Sequence, residues 1–221
     1  MIDHFTLQTA LRSRLIDSLT VASCSGVNLS ATGSVFTRAS GSFITDEFSV
    51  GMEVTGAGFS QGANNNSFVV TGVTALTLTI DGDLTTESAG SGKTLTVGLP
   101  SRRAWENVAL EPDNGYPWVE EQLIPAGTRQ ITVGPGGLLE TRVLYSLQIH
   151  AVEDTGLGAP LRYADALLTL FTPRTAITFG SETARVRTDT GPYRGQMLRR
   201  KPGWATIPVT FPLEIWSNNS I

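Results

Sequence analysis

Behind Asp3 the chain carries apolar residues at Phe5, Leu7, Leu11, Leu15 and Leu19, mostly four apart. That is the period of one helix face, and aspartate is a favoured N-cap because its carboxylate accepts the free N–H groups of the first turn. A helix is predicted from residue 3 to about residue 19. From residue 29 to residue 97 the pattern shortens. Runs at 52–55, 68–73, 76–80 and 94–97 are rich in valine, threonine and other side chains that fit a pleated strand. Glycine- or asparagine-rich stretches at 56–58, 62–66, 81–83 and 90–92 separate them and read as turns. So many short strands close most naturally into a small barrel or sandwich.

Past residue 98 the elements lengthen. Strands are predicted over 103–110 and 118–124, joined as a hairpin through Asp113-Asn114-Gly115. Val143, Tyr145, Leu147 and Ile149 alternate with Arg142, Ser146, Gln148 and His150, which marks a long half-buried strand. Residues 162–171 read as a helix that stops before Pro173. Strands are expected over 175–187 and 207–216. In the last of these, Ile207, Val209, Phe211, Leu213 and Ile215 share one face, while Pro208 and Pro212 share a parity. Their missing N–H groups fall on one edge, which cannot carry a regular ladder. The strand is therefore predicted at the margin of its sheet, or against another chain.

Composition divides the chain at the same places. Between Leu29 and Val97, Arg38 and Lys93 stand against Asp46, Glu47, Glu53, Asp81, Asp83 and Glu87, a net −4 that equals the net charge of the whole chain. All prolines, tryptophans and tyrosines lie outside this segment, and its aromatics are Phe36, Phe43, Phe48, Phe59 and Phe68. The expected fold is α+β: a mixed or antiparallel sheet with an N-terminal helix and one further helix over residues 1–28 and 98–221. A small all-β domain is inserted over residues 29–97; about 70 residues can fold alone.

Single Cys24 excludes an internal disulfide and a cysteine-rich zinc site, and points to synthesis in a reducing cytoplasm. No apolar run approaches the ~20 residues of a membrane span. Asp3, Arg12, Arg14 and Asp17 interrupt any secretory signal.

No catalytic pattern is complete in the sequence. Gly90-Ser91-Gly92-Lys93-Thr94 ends like a phosphate loop, but Glu87 stands where the first glycine is needed, and a strand follows where a helix should. A turn is the better reading. His4 and His150 lack a metal-ligand pattern, and Asp81-Gly82-Asp83 lacks calcium-loop spacing and is read as a turn. There is no G-x-S-x-G elbow. Glu120 and Glu121 are adjacent, so in a strand they face opposite sides, one solvated and one salt-bridged, and cannot form an acid/base pair. No catalytic, cofactor-binding or metal-binding residue is expected. Arg199-Arg200-Lys201 is a short basic run, read as a solvated loop or as a contact to an acidic partner or DNA.

Further segments carry a resemblance. They are Leu11-Arg12-Ser13-Arg14-Leu15, Trp105-Glu106-Asn107-Val108, Pro117-Trp118, and Ile124-Pro125-Ala126-Gly127. Thr141-Arg142-Val143-Leu144-Tyr145, Tyr163-Ala164-Asp165-Ala166-Leu167 and the run from Gly203 to Pro212 follow in order. Together the flanks resemble the tail terminator proteins of long-tailed (siphovirus-type) bacteriophages. The insert, through Phe48 to Gly56, Asn64 to Val70 and Leu78 to Ile80, resembles a small β-module found in phage virion proteins. The terminator resemblance implies a hexameric ring on the last ring of the tail tube, at the head-proximal end of the virion tail. Such a ring ends tube polymerisation and offers a surface to the head–tail connector. Genomic DNA passes its lumen without sequence-specific contact, and no cofactor or membrane is involved. Arg199, Arg200, Lys201, Pro208 and Pro212 are then the expected subunit or tube interface. A head–tail connector, a minor tail-tube protein, a surface- or carbohydrate-binding module and a hydrolase with a scattered site remain alternatives.

Overall fold

The computed structural model describes residues 2–105, 110, 115–133, 136–153, 155–156, 158–201 and 203–218, with 199–201 through their backbone alone. The chain begins with α1 (His4–Ser18). The Asp3 carboxylate accepts the Phe5 and Thr6 N–H groups at 3.0 and 3.2 Å, as the N-cap reading requires. Leu7, Leu11 and Leu15 are fully buried on one face, whereas Phe5, part of the same apolar pattern, is 74% exposed.

Six strands follow: β1 (Ala22–Cys24), β2 (Leu29–Arg38), β3 (Glu53–Ala57), β4 (Ser67–Val73), β5 (Thr77–Gly90) and β6 (Thr94–Val97). They form one antiparallel sheet in the order β1-β6-β3-β4-β5-β2. It curls around a phenylalanine core in which the Phe36 ring lies 5.3 Å from Phe59 and 6.1 Å from Phe68. The sheet starts at Ala22, seven residues before the compositional break, because β1 pairs with β6. Asp81-Gly82-Asp83, expected as a turn, lies inside β5. The Asp81 carboxylate accepts the Val69 N–H at 2.7 Å, beside the point where the β4–β5 register shifts. Gly82 lets the Phe68 ring lie against the strand; a Cβ there would stand 2.8 Å from it.

The second sheet holds β7 (Arg102–Ala104), β8 (Trp118–Gln130), β9 (Leu138–Val152), β10 (Ala176–Phe179), β11 (Glu182–Val186), β12 (Tyr193–Arg194), β13 (Leu198–Lys201) and β14 (Trp204–Asn218). Its order is β10-β11-β14-β9-β8-β7, with β12 and β13 also on β14. Between β9 and β10 runs α2 (Gly158–Leu170), which starts four residues earlier than predicted. Pro160 sits in its first turn, where a missing N–H costs nothing.

Two topological expectations are corrected. β7 and β8 pair in parallel, so no hairpin joins them, and a parallel pair needs a crossover rather than a two-residue turn. Of the expected turn, Asp113 and Asn114 fall outside the described residues, as does most of the expected strand past Ala104.

The C-terminal strand is also not at a margin. β14 pairs with β9 along its whole length, Trp204 opposite Val152 through Asn218 opposite Leu138. The prolines break only the other edge. The Pro208 carbonyl accepts from Gly195 at 2.8 Å and the Pro212 carbonyl from Arg187 at 2.9 Å, so their absent N–H groups point the same way. That edge is filled in pieces by the chain itself. β13 lies opposite Trp204 and Thr206, β12 opposite Val209–Thr210, and β11 opposite Leu213–Ile215. Each proline falls in a gap between two pieces. Gly195 fits there because a Cβ would stand 2.7 Å from the Pro208 ring.

The odd positions of β9 and β14, from Val143 to Ile149 and from Ile207 to Ile215, are buried against the helices. The six-stranded sheet joins this core through α2. The Tyr163 hydroxyl accepts the Glu53 N–H at 3.3 Å, and Arg162 reaches Ser49 at 3.1 Å and Glu47 at 3.2 Å. Burial pushes the Tyr163 phenol well up, so it stays neutral.

Candidate assembly surface

Residues 199–201 lie on β13, antiparallel to the start of β14, with a register shift within the pair. Pro208 and Pro212 lie along the middle of β14, four residues apart on the edge filled by the chain's own strands. The structure thus gathers all five onto one region of the sheet, without bringing the prolines to a free edge.

The face of this sheet turned away from the helices is laid out differently at its two ends. At one end Trp118 stacks on His150, centroids 3.6 Å apart and planes 4° apart, and Trp204 meets Trp118 edge-on. His150 Nδ1 lies 2.8 Å from the Thr206 hydroxyl and Nε2 3.5 Å from Glu120. The ring is buried in this stack, which explains a strand histidine without invoking a ligand role.

At the other end the sheet runs out into an arm. Residues 124–130 of β8, 138–144 of β9 and 214–218 of β14 build it. β7 covers only Trp118–Glu120, so beyond that point β8 has no strand on its outer side among the described residues. Pro125 and a bulge before Gly127 blunt this edge against random pairing. Arg129 and Arg142 both grip Glu140 on the arm, Arg142 at 2.9 Å. Glu140 is only 2% exposed. The Arg142 hydrogen bond, followed by that of Arg129, holds its carboxyl below the usual range, and Arg142 is raised in turn. Around this charged centre Ile124, Ile131 and Trp216 are 37–40% exposed, and Val133 at the tip is fully exposed. Tryptophan and arginine are enriched at protein contact surfaces. The sequence reading missed this arm because Pro125-Ala126-Gly127 looks like a turn; the exposed apolar pair Ile131 and Val133 was the available signal.

A groove of about 680 Å³ opens on the helix side. It lies between the C-terminal ends of α1 and α2, with Leu19, Val21, Ala166 and Leu170 on its walls and Glu47 and Asp165 at its rim.

Lys93, Glu121 and Cys24 are each held within the fold. Lys93 is buried, 2.8 Å from Glu87 and 2.6 Å from the Ser88 carbonyl, so its ammonium is committed within the fold. Glu121 is buried and salt-bridged, with Arg12 at 2.6 Å, the Tyr145 hydroxyl at 2.9 Å and Gln8 at 3.3 Å, while Glu120 is half-exposed on the opposite face. Cys24 is buried, and desolvation raises its thiol above the ordinary value. Among the described residues no group of three or more His, Cys, Asp or Glu is placed to hold a metal, and no helix is long and apolar enough to cross a membrane. Most carboxylates of the insert have a partner: Asp46 on Arg38, Glu87 on Lys93, Asp81 on the Val69 N–H, Glu47 on Arg162 of α2 and Glu53 on the Ser101 N–H.

Glu87 yields a pH prediction. The Lys93 hydrogen bond, then the N–H groups of Gln61 and Ser60, lower its carboxyl from 4.5 to about 2. A depressed carboxyl stabilises the fold above its unfolded pKa, and this is lost as pH falls through the folded one. Melting temperature should therefore drop between pH 4.5 and about 2, and Glu87→Gln should flatten that fall. A variant as acid-sensitive as the parent would contradict the role.

Residues 91–212 match the protein family described as phage tail terminator protein. A solved structure aligns over 53% of this chain and 79% of its own length at 21% identity, with a TM-score of 0.41. No curated protein matches.

Proposed function

The chain belongs to the phage tail terminator family, whose match spans β6 to Pro212, and on that premise we propose that it forms a ring capping the tail tube. The ring ends tube polymerisation and presents the head–tail joining surface at the head-proximal end of the tail. Its action is steric, with no catalytic group and no cofactor. Its partners are the tail tube protein, the head–tail connector and further copies of itself, and DNA crosses the lumen without base readout. The family match carries this reading. It is supported by a fold that spends its buried charges on structure and leaves an apolar, arginine-bearing arm uncovered.

The insert, residues 29–97, is an added folding unit docked on α2; β1 to β5 lie outside the matched span. Among the proposed interface residues, Arg199, Arg200 and Lys201 belong to β13, and their basic run suits an acidic partner. Pro208 and Pro212 contribute by keeping β11, β12 and β13 as separate pieces on β14.

Native mass spectrometry of the purified protein, alone and mixed with tail tubes, tests the ring. The expected closed species has six times the 23.6 kDa subunit mass. Monomers or two-fold dimers under both conditions would contradict it.

A further inference from the structure

Residues 47–53 lead into β3 and carry contacts between the inserted sheet and the host. On the insert side the segment is bonded to β4. The Gly51 N–H donates to the Val70 carbonyl at 2.8 Å, and the Met52 carbonyl accepts from Val70 at 2.9 Å. On the host side it lies against the start of α2. Arg162 reaches Ser49 at 3.1 Å and Glu47 at 3.2 Å, and the Tyr163 hydroxyl accepts the Glu53 N–H at 3.3 Å. We propose that this segment is a strap that joins the two sheets into one cooperative unit. The insert is then a fixed part of the subunit, not a module that folds by itself.

The strap fits closely at two glycines. A Cβ on Gly158 would stand 3.1 Å from the Ser49 Oγ. One on Gly51 would stand 2.9 Å from the Thr155 Oγ1, which is itself held by the Val152 carbonyl at 2.8 Å. Gly51 also has φ +86°, a backbone that glycine adopts freely and other residues rarely.

Glu53 shows what the docking covers. It shares the outer face of β3 with Thr55, which is exposed, yet Glu53 is only 6% exposed. Its carboxylate accepts the Ser101 N–H at 2.9 Å and its own N–H goes to Tyr163, so both polar groups are satisfied by the host. An insert folded beside an unfolded host would lose these partners. The apolar core also continues across: Phe36, Phe48 and Met52 belong to the same buried cluster as Tyr163, Leu167 and Phe211. Apolar burial shared across a seam couples its two sides. The chain enters and leaves the insert on paired neighbours, the Val21 N–H on the Val97 carbonyl at 2.8 Å. Those two connections alone would leave a hinge, and the strap removes that freedom.

The chain supplies its own probes. All four tryptophans lie outside residues 29–97, and the single cysteine, Cys24, is buried on β1 of the inserted sheet. In one urea titration, tryptophan fluorescence follows the host and a brief pulse of thiol label on Cys24 follows the inserted sheet. Coincident transitions are the expected result, the signature of one cooperative unit. Separate transitions in the parent protein overturn the proposal. Phe36 is fully buried in the insert, so Phe36→Ala should lower both midpoints equally; Ile80→Val makes the same comparison if that variant does not fold. A lesion that moves the Cys24 midpoint and leaves the tryptophan midpoint in place overturns the coupling. Arg162→Ala with Tyr163→Phe cuts the strap on its host side. The two transitions should then split, with Cys24 reactive at lower urea than the fluorescence change. Transitions that stay coincident in this double variant overturn the strap as the coupling element.

Discussion

Phe211→Ala is expected to destabilise the fold by about 3–5 kcal/mol, the cost of emptying a fully buried aromatic site. Phe211 is 0% exposed in the middle of β14. Its ring lies 4.7 Å from Phe171 at the end of α2 and 6.2 Å from Tyr145 on β9. Three elements therefore meet on this one side chain. Tyr145 in turn donates its hydroxyl to the buried Glu121, which also holds Arg12 of α1. The surrounding rings are fixed by this network, so the cavity cannot collapse cheaply. Equilibrium urea unfolding measures the loss. A loss below about 1 kcal/mol would place the side chain outside the core.

The parts of this fold that rest on local periodicity were legible in the sequence. α1 is one: Asp3 caps it, and Leu7, Leu11 and Leu15 form the buried stripe. The alternation from Arg142 to His150 is another, and it lies within β9. What rests on partners distant in the chain was not legible. β2 contains Ala31-Thr32-Gly33-Ser34, which has no clear period and becomes a strand through pairing with β5. The break expected at Asp81-Gly82-Asp83 is absorbed because a carboxylate supplies a hydrogen bond to β4 and a glycine admits a phenylalanine ring. The parallel pairing of β7 and β8 depends on a crossover that dipeptide turn signals do not reveal.

The proline argument shows the same division. Pro208 and Pro212 correctly mark an edge unable to hold a continuous ladder. Whether that edge meets solvent, another chain or three short strands of the same chain is a matter of topology. For the assembly surface, Arg199-Arg200-Lys201 stood out as a charge run, whereas the arm did not. Its centre joins Arg129 of β8 to Glu140 and Arg142 of β9, with Arg129 and Glu140 eleven positions apart in the sequence.

Loss of this protein is expected to have the largest effect of all, and on assembly rather than on stability. Tube subunits add to a growing end through repeated contacts, and a cap must cover that whole end to stop the next ring. A ring does so with weak individual contacts, because all its subunits engage together and their effects multiply. On the proposed reading, a phage without it has nothing to occupy the last tube ring. Lesions in the subunit contact should act in the same direction and disproportionately, since one substitution is repeated at every interface.

Electron microscopy of particles made by a phage lacking this gene product is the most direct measurement. The expected result is tail tubes of uncontrolled length that fail to join filled heads, with normal tails restored by supplying the protein in trans. Tails of normal length that merely lack heads would contradict tube capping and assign the protein to the head–tail connection instead.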